Sequence, residues 1–344
     1  MQRGKRVVLL SAFDYAGSGY RICEAVGLHT NHFMQHIVML PVPNFAQFRT
    51  TPSVAKPTKK KIINDKGEEV EVEGLSIINF DMARITRILE GADIVHVKSD
   101  IPITQQPFKD LFIPDSAKII QTVCGTGFRV GSSPVARGKG NFEEYIDSTD
   151  FRTALNPDLN YPAYDAVYTP FAYDSEVIEN RWVKPEVPVI AHSPSTRNKK
   201  GSDMFERAMK QLQVMGYDFK VDVIENVSHR QCLERKAQAT IFFDQNLVGS
   251  YGNSAVEAMA YGIPTMAYLS DMAIEQADDL LDDCPVINCG KSLGEMIERF
   301  EYLLDPNTDL EKLSKQTKEY VDKTHGYSAM AKQWANIYEQ VYRL

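Results

Sequence analysis

Three short stretches of the chain carry residue types suited to holding an anion or a sugar. Asp14-Tyr15-Ala16-Gly17-Ser18-Gly19-Tyr20 follows an apolar run and opens a helical pattern. Gly17 and Gly19, with Ser18 between them, let the backbone approach a phosphate or sugar closely, although a plain strand-to-helix turn uses the same residues. The third glycine of a dinucleotide fingerprint is missing from this stretch. The second stretch runs from His192 through Ser193, Ser195, Thr196, Arg197, Lys199 and Lys200 to Gly201, again between an apolar run and an amphipathic helix. Arg197 offers a planar fork and Lys200 a point charge, a pairing suited to a diphosphate; a solvated basic loop capping a helix is the other reading. In the third, Gly249, Tyr251 and Gly252 precede Asn253 and Ser254 at a helix start, and Glu257 falls in the first or second turn. Free N–H groups there suit phosphate oxygens, and a carboxylate suits two adjacent hydroxyls such as those of a ribose. Alternatively, Glu257 only complements the helix dipole, at roughly 0.3–1 kcal/mol.

These loops need strands before them and helices after them. Apolar runs bounded by turn signals occur at 6–13, 36–40, 92–98, 117–123 and 165–170, and again at 187–194, 217–224, 239–245, 263–269 and 284–289, with helical patterns between many of them. Strands alternating with helices predict parallel sheets covered on both faces, and two such series predict two doubly wound Rossmann-like domains. Prolines and charges near 180–188 mark the boundary. The expected division is 1–185 for the first Rossmann-like domain, 186–325 for the second, and 326–344 for a C-terminal helix crossing back onto the first domain. Residues 41–75 are long for a connection and read as a loop followed by a hairpin, a candidate lip for a cleft. The last helical region breaks at His325-Gly326 into two pieces, the second rich in aromatic residues.

Composition narrows the class. The chain has 344 residues, 43% hydrophobic and 24% charged, as in water-soluble globular proteins, and no run of apolar residues long enough to span a bilayer. Its five cysteines are scattered without a Cys-x-x-Cys pair, so a reducing compartment is expected and neither a disulfide framework nor a zinc site. A cytoplasmic protein, if need be peripheral at a membrane, fits these features. The net charge of −8 excludes a dedicated nucleic-acid-binding domain at the whole-chain level. Two basic loops remain: Lys59-Lys60-Lys61, and 129–139 with Arg129, Arg137 and Lys139.

The HSPSTRNKKGSD stretch followed by GSYGNSAVEAMAYGIPTMAY resembles the C-terminal domain of family 4 glycosyltransferases, which have the GT-B architecture, with parallel sheets facing an interdomain cleft. DIVHVK and CGTGFR are similar to that family's N-terminal domain. The resemblance implies a retaining, metal-independent hexosyl transfer from a UDP- or GDP-linked sugar, with no cofactor beyond this donor. Arg197 and Lys200 would neutralise the diphosphate, Glu257 would hold the ribose hydroxyls, Gly17 to Gly19 would lie over the donor phosphates or the acceptor, and His96 would line the cleft near the transferred sugar unless it is a packed structural histidine. Ser195, Gly249, Tyr251, Gly252, Asn253 and Ser254 complete the donor set; Asp14, Lys98, Thr126 and Arg129 are candidates for the acceptor side. The family's usual pattern has two glutamates eight positions apart, but glycine occupies position 249, where the earlier one would fall, with Asp244 or backbone N–H groups in its place. Cys124-Gly125-Thr126-Gly127 likewise replaces a His-Gly-Ser-Asp-like loop.

A nucleoside diphosphate leaves readily once its charge is neutralised, so such a transferase needs positioning and electrostatics above all. The acceptor hydroxyl would belong to a glycan, a lipid-linked sugar or a hydroxylated DNA base, met through the basic loops. Two other classes fit two α/β domains: a GT-B-type nucleotide-sugar epimerase, and a nicotinamide-dependent oxidoreductase that would require the fingerprint this chain lacks. Asp81, His229, His325 and the tyrosines of the last helix are read as structural.

Overall fold

The computed structural model describes residues 4–40, 57–63, 69–75, 82–125, 127–130 and 137–344. Asp81, Thr126 and most of the second basic loop lie outside these described residues.

The chain begins with β1 (Arg6–Ser11), α1 (Ser18–His29) and β2 (Phe33–Val38), followed by an antiparallel hairpin of β3 (Pro57–Ile63) and β4 (Glu69–Leu75) in the expected place. Next come α2 (Met82–Leu89), β5 (Ile94–Lys98), β6 (Lys118–Val123), α3 (Glu143–Asp147), β7 (Phe151–Ala154) and β8 (Val167–Tyr168). Apart from the hairpin, these strands form one sheet in the order β2-β1-β5-β6-β7-β8. The later strands are β9 (Val189–His192), β10 (Lys220–Val223), β11 (Ile241–Phe243), β12 (Thr265–Ala267) and β13 (Ile287–Asn288), in the order β10-β9-β11-β12-β13. Between them run α4 (Arg197–Lys200), α5 (Ser202–Val214), α6 (His229–Lys236), α7 (Asn253–Ala260) and α8 (Asp271–Glu275); α9 (Leu293–Leu304), α10 (Leu310–His325) and α11 (Tyr327–Tyr342) close the chain.

Strands were expected at each of the ten apolar runs, and each run holds one. β7 was missed because its sequence, Phe-Arg-Thr-Ala, has no apolar run to detect. In both sheets the second strand lies beside the first and the third on the first strand's other side, so the order reverses beside the first strand. Parallel registers bring β5 to β1, from Ile94 at Val7 to Lys98 at Ser11, and β11 to β9, from Ile241 at Ile190 to Phe243 at His192. Ligands of open parallel sheets sit at the carboxyl ends of the strands at such a switch point.

The chain folds into two compact units, one of residues 1–123, 142–152 and 334–344 and the other of 124–141 and 153–333. In the first, β5 is buried along its whole length, as a central parallel strand must be. His96 on it packs at 4.6 Å against Trp334 of α11, and its ring nitrogens bond to Tyr338 Oη at 2.9 Å and Thr122 Oγ1 at 2.6 Å. In the second, Phe205 of α5 stacks on Phe243 of β11 at 5.0 Å, with Phe300 of α9 against both. His192 lies beside this cluster, its nitrogens on the Phe243 carbonyl at 3.0 Å and Ser202 Oγ at 2.8 Å, and so locks β9, β11 and the start of α5 together. The break between α10 and α11 falls at Gly326, as expected, and Glu176 accepts the Ser328 N–H at the new helix start.

Burial holds four histidines neutral. It depresses His36, His192 and His325 to about 4 and His96 to about 3. The unfolded chain takes up these protons near the ordinary value of 6.5 while the native one does not, so the stability they confer is complete above that pH and is lost as pH falls toward about 3–4. Denaturant midpoints measured from neutral pH downward should therefore fall steeply below about pH 6.5, before most carboxylates protonate, and His96→Gln should flatten that slope.

Candidate functional site

The switch point of the second unit gathers residues from four segments. Lys200, the last residue of α4, extends Nζ to Asp244 Oδ1 at 2.7 Å just beyond β11, and Asp244 Oδ2 accepts the Gly252 N–H at 2.8 Å, immediately before α7. The Lys200 ammonium therefore sits over the start of α7; a Cβ built on Gly252 would lie 3.5 Å from it. Ser193, following β9, bonds through Oγ to Ser254 Oγ at 2.8 Å. Lys236 of α6 reaches Ser254 Oγ at 2.8 Å and Glu257 Oε2 at 2.7 Å, and His229 Nε2 meets Glu257 Oε1 at 2.8 Å. Cationic nitrogen, hydroxyls and a carboxylate thus share the edge where the first turn of α7 begins, the arrangement that suits a phosphorylated ribose.

Glycine is required at the turn between α4 and α5. Gly201 has φ +72°, and a Cβ there would come within 1.7 Å of Asn246 Oδ1. This tight turn lets Lys200 and the buried Ser202 belong to consecutive helices.

Arg197 shares α4 with Lys200 but has different partners: Nη1 bonds Glu225 at 2.9 Å and Nη2 bonds Glu206. Those hydrogen bonds, Glu206 first, raise its already high pKa. Ser195 is exposed in the same loop, and Asn253 half-buried at the start of α7. Tyr251 is buried, with its hydroxyl on Tyr320 Oη at 2.8 Å and His325 Nε2 at 3.0 Å, so the phenol anchors its loop within the unit.

Position 249 has no room for a side chain. A Cβ on Gly249 would lie 2.4 Å from Ser270 Oγ and 3.0 Å from the Asp158 Cβ. Asp158 is itself held by Arg129, Nε to Oδ2 at 2.6 Å and Nη2 to Oδ1 at 3.2 Å, and it accepts Ser250 Oγ at 2.6 Å. Asn156 adds bonds to Ser250 Oγ at 3.1 Å and the Tyr251 carbonyl at 3.3 Å. Arg129, expected on the acceptor side, is therefore joined through Asp158 to the loop that precedes α7.

In the first unit, Asp14 and Lys98 meet at 3.4 Å across the β1–β5 switch point, both almost fully buried. Asp14 accepts the N–H of Gly19 at 2.7 Å and of Tyr20 at 3.2 Å. The first-turn N–H groups of α1 that the glycine loop seemed to offer to a phosphate are thus taken by the chain's own carboxylate. Gly17, with φ +65°, and Ser18 form that turn, while Gly19 packs where a Cβ would meet His36 Nε2 at 2.7 Å. Burial works against ionisation of Asp14, but Lys98, then His36 and the two N–H groups outweigh it and hold the carboxyl below its usual value. His96 lies buried with both nitrogens engaged, as described above.

Sequence reasoning missed Asp158 and Lys236 and read His229, which meets Glu257, as structural. No signal marked them, since each becomes notable only through a partner 21 to 92 residues away. Asp244 had been noted as a spare carboxylate and has a definite partner in Lys200.

No protein-family model and no curated protein matches the chain. Solved structures do. A sucrose-phosphate synthase from Thermosynechococcus elongatus superimposes with a TM-score of 0.63 at 12% identity over 98% of this chain and 99% of that one. A glycosyltransferase from Rickettsia africae ESF-5 gives 0.61 at 13% identity over 99% of both chains. An α-glucosyltransferase in complex with UDP and a 13-mer DNA gives 0.59 at 12% identity over 98% of this chain and 100% of that one. The fold is GT-B. Among the described residues no group of three or more His, Cys, Asp and Glu side chains could hold a metal ion, and no helix is long and apolar enough to cross a membrane.

Gly249→Ala should cost about 1–3 kcal/mol by forcing Ser270 and Asp158 apart, seen as a lower denaturant midpoint. Ser270→Gly in the same chain should recover part of that loss; an unchanged midpoint for the single variant would refute the packing account.

Proposed function

We propose that this chain is a family 4-like glycosyltransferase that moves a hexose from a nucleoside-diphosphate donor to an acceptor hydroxyl, with retention of configuration and without a metal ion. The observation that carries the reading is the gathering of Lys200, Ser193, the first turn of α7 and Glu257 at the β9–β11 switch point. Phosphate oxygens accept the N–H groups of Asn253 and Ser254, Lys200 turns from Asp244 to the diphosphate, and Glu257 accepts the ribose hydroxyls. Arg197, on the same short helix, adds a second cation as charge develops on the leaving group. The glycosidic carbon–oxygen bond to the diphosphate breaks as the acceptor oxygen bonds to that carbon, and the hydroxyl proton is released. Positive side chains at the leaving group replace a metal in this scheme.

UDP is the first donor nucleotide to test, since a structural neighbour was solved with it; GDP is the second. The acceptor is a glycan, a lipid-linked sugar or a hydroxylated base, the last in keeping with the DNA held by that same neighbour. The chain would act in the cytoplasm, at the membrane surface when the acceptor is a lipid. A thermal-shift panel of UDP, GDP, ADP and their sugar conjugates should show one nucleotide series raising Tm by mass action. In the same assay Lys200→Ala should abolish most of that shift. Transfer by Lys200→Ala or Arg197→Ala should drop about 10²–10³-fold with folding retained, and undiminished transfer in both would remove the assignment. The anomeric configuration of the product, read by NMR, tests retention. Conversion of the donor sugar without any acceptor would instead identify an epimerase.

A further inference from the structure

Lys236 ends α6 and is 1% exposed, among the largest side chains fully buried in this protein. Its ammonium has three acceptors on α7: Ser254 Oγ at 2.8 Å, the Ser254 carbonyl at 3.3 Å and Glu257 Oε2 at 2.7 Å. The ring of Phe242 lies 5.2 Å from Nζ on another side. Withdrawing an ammonium from water is costly, and an apolar side chain fills such a gap without that cost. What lysine supplies here, and methionine of similar length does not, is a fixed positive charge beside Glu257. Glu257 is itself buried, and its other oxygen lies on the side of His229, which is 25% exposed.

We propose that Lys236 is a positioning residue for nucleotide binding: it holds Glu257 in one rotamer as a carboxylate, with Oε1 on the side of His229, and does not touch the ligand itself. This rests on the reading of Glu257 as the acceptor for the ribose hydroxyls. A carboxylate accepts two hydroxyl protons, whereas a protonated carboxyl must donate one of its own and loses half of that capacity. The groups facing the carboxyl include Lys236 and His229 from α6 and the Tyr261 phenol just beyond α7, which in turn faces Arg181 and Glu234. Of the two α6 residues, only Lys236 is fully buried against the carboxyl.

Lys236→Met, compared with the unmodified chain, separates this role from packing. Without its counter-charge the buried Glu257 carboxyl favours the protonated form, and two opposite trends follow. The stability penalty, read by urea denaturation, should be small near about pH 5 and grow toward about pH 9, because ionising Glu257 in a dry site becomes part of the native state's cost. Affinity for UDP by calorimetry, expressed relative to the unmodified chain at each pH so that phosphate ionisation cancels, should be down about tenfold near pH 6 and recover as pH rises. Lys236→Arg, which keeps the charge, should show neither trend. Losses that do not vary with pH would mean that Lys236 only packs, and would overturn the proposal. If Glu257→Gln leaves UDP affinity unchanged, the donor role of Glu257 falls and the nucleotide-binding part with it, while the stability trend still decides whether Lys236 sets the charge. Should Lys236→Met fail to fold, the double variant Lys236→Met/Glu257→Gln, which removes both charges, is expected to fold with no pH trend; an unfolded double variant counts against the proposal.

Discussion

The ion pair between Lys200 and Asp244 joins segments 44 residues apart, and Asp244 reaches a further eight residues to the Gly252 N–H. Its aspartate is 1% exposed and its lysine 18%, so the pair has a sealed side and an open side. With Lys200 on one oxygen and the Gly252 N–H on the other, Asp244 ties the segment after β9, the loop after β11 and the start of α7 together. The rest of the candidate site depends on that. Ser193 reaches Ser254 because α7 begins where Asp244 fixes it, and Glu257 lies one turn further on the same helix.

The first unit solves the same problem with the roles exchanged. There the aspartate comes from the loop after the first strand and the lysine from the end of the third, and both are closed off from solvent. Asp14 also satisfies the start of α1. One switch point is thus self-contained, whereas the other leaves its ammonium partly exposed. The difference lies in burial rather than in residue type.

Most of the fold was legible because it is written in apolar runs: buried parallel strands need Val, Ile and Leu on both faces, and those runs stand out between turn residues. β7 escaped because four residues of mixed character carry no such mark. Loops were legible in part. Lys200, Ser254 and Glu257 stand beside glycines at strand-to-helix junctions, where residue type and position point the same way. Lys236 sits in an ordinary charged helix, and Asp158 in a Pro-Asp turn of a kind found in many proteins; only the folded chain brings them to Glu257 and Ser250. Tyr251 shows the converse, since a glycine-flanked tyrosine at a helix start was expected among the donor residues while its ring completes an interior network with Tyr320 and His325.

The filled space at Gly249 bears on how this chain relates to others of its architecture. A carboxylate there cannot arrive by one replacement, because Ser270 and the segment bearing Asp158 would have to yield in the same step.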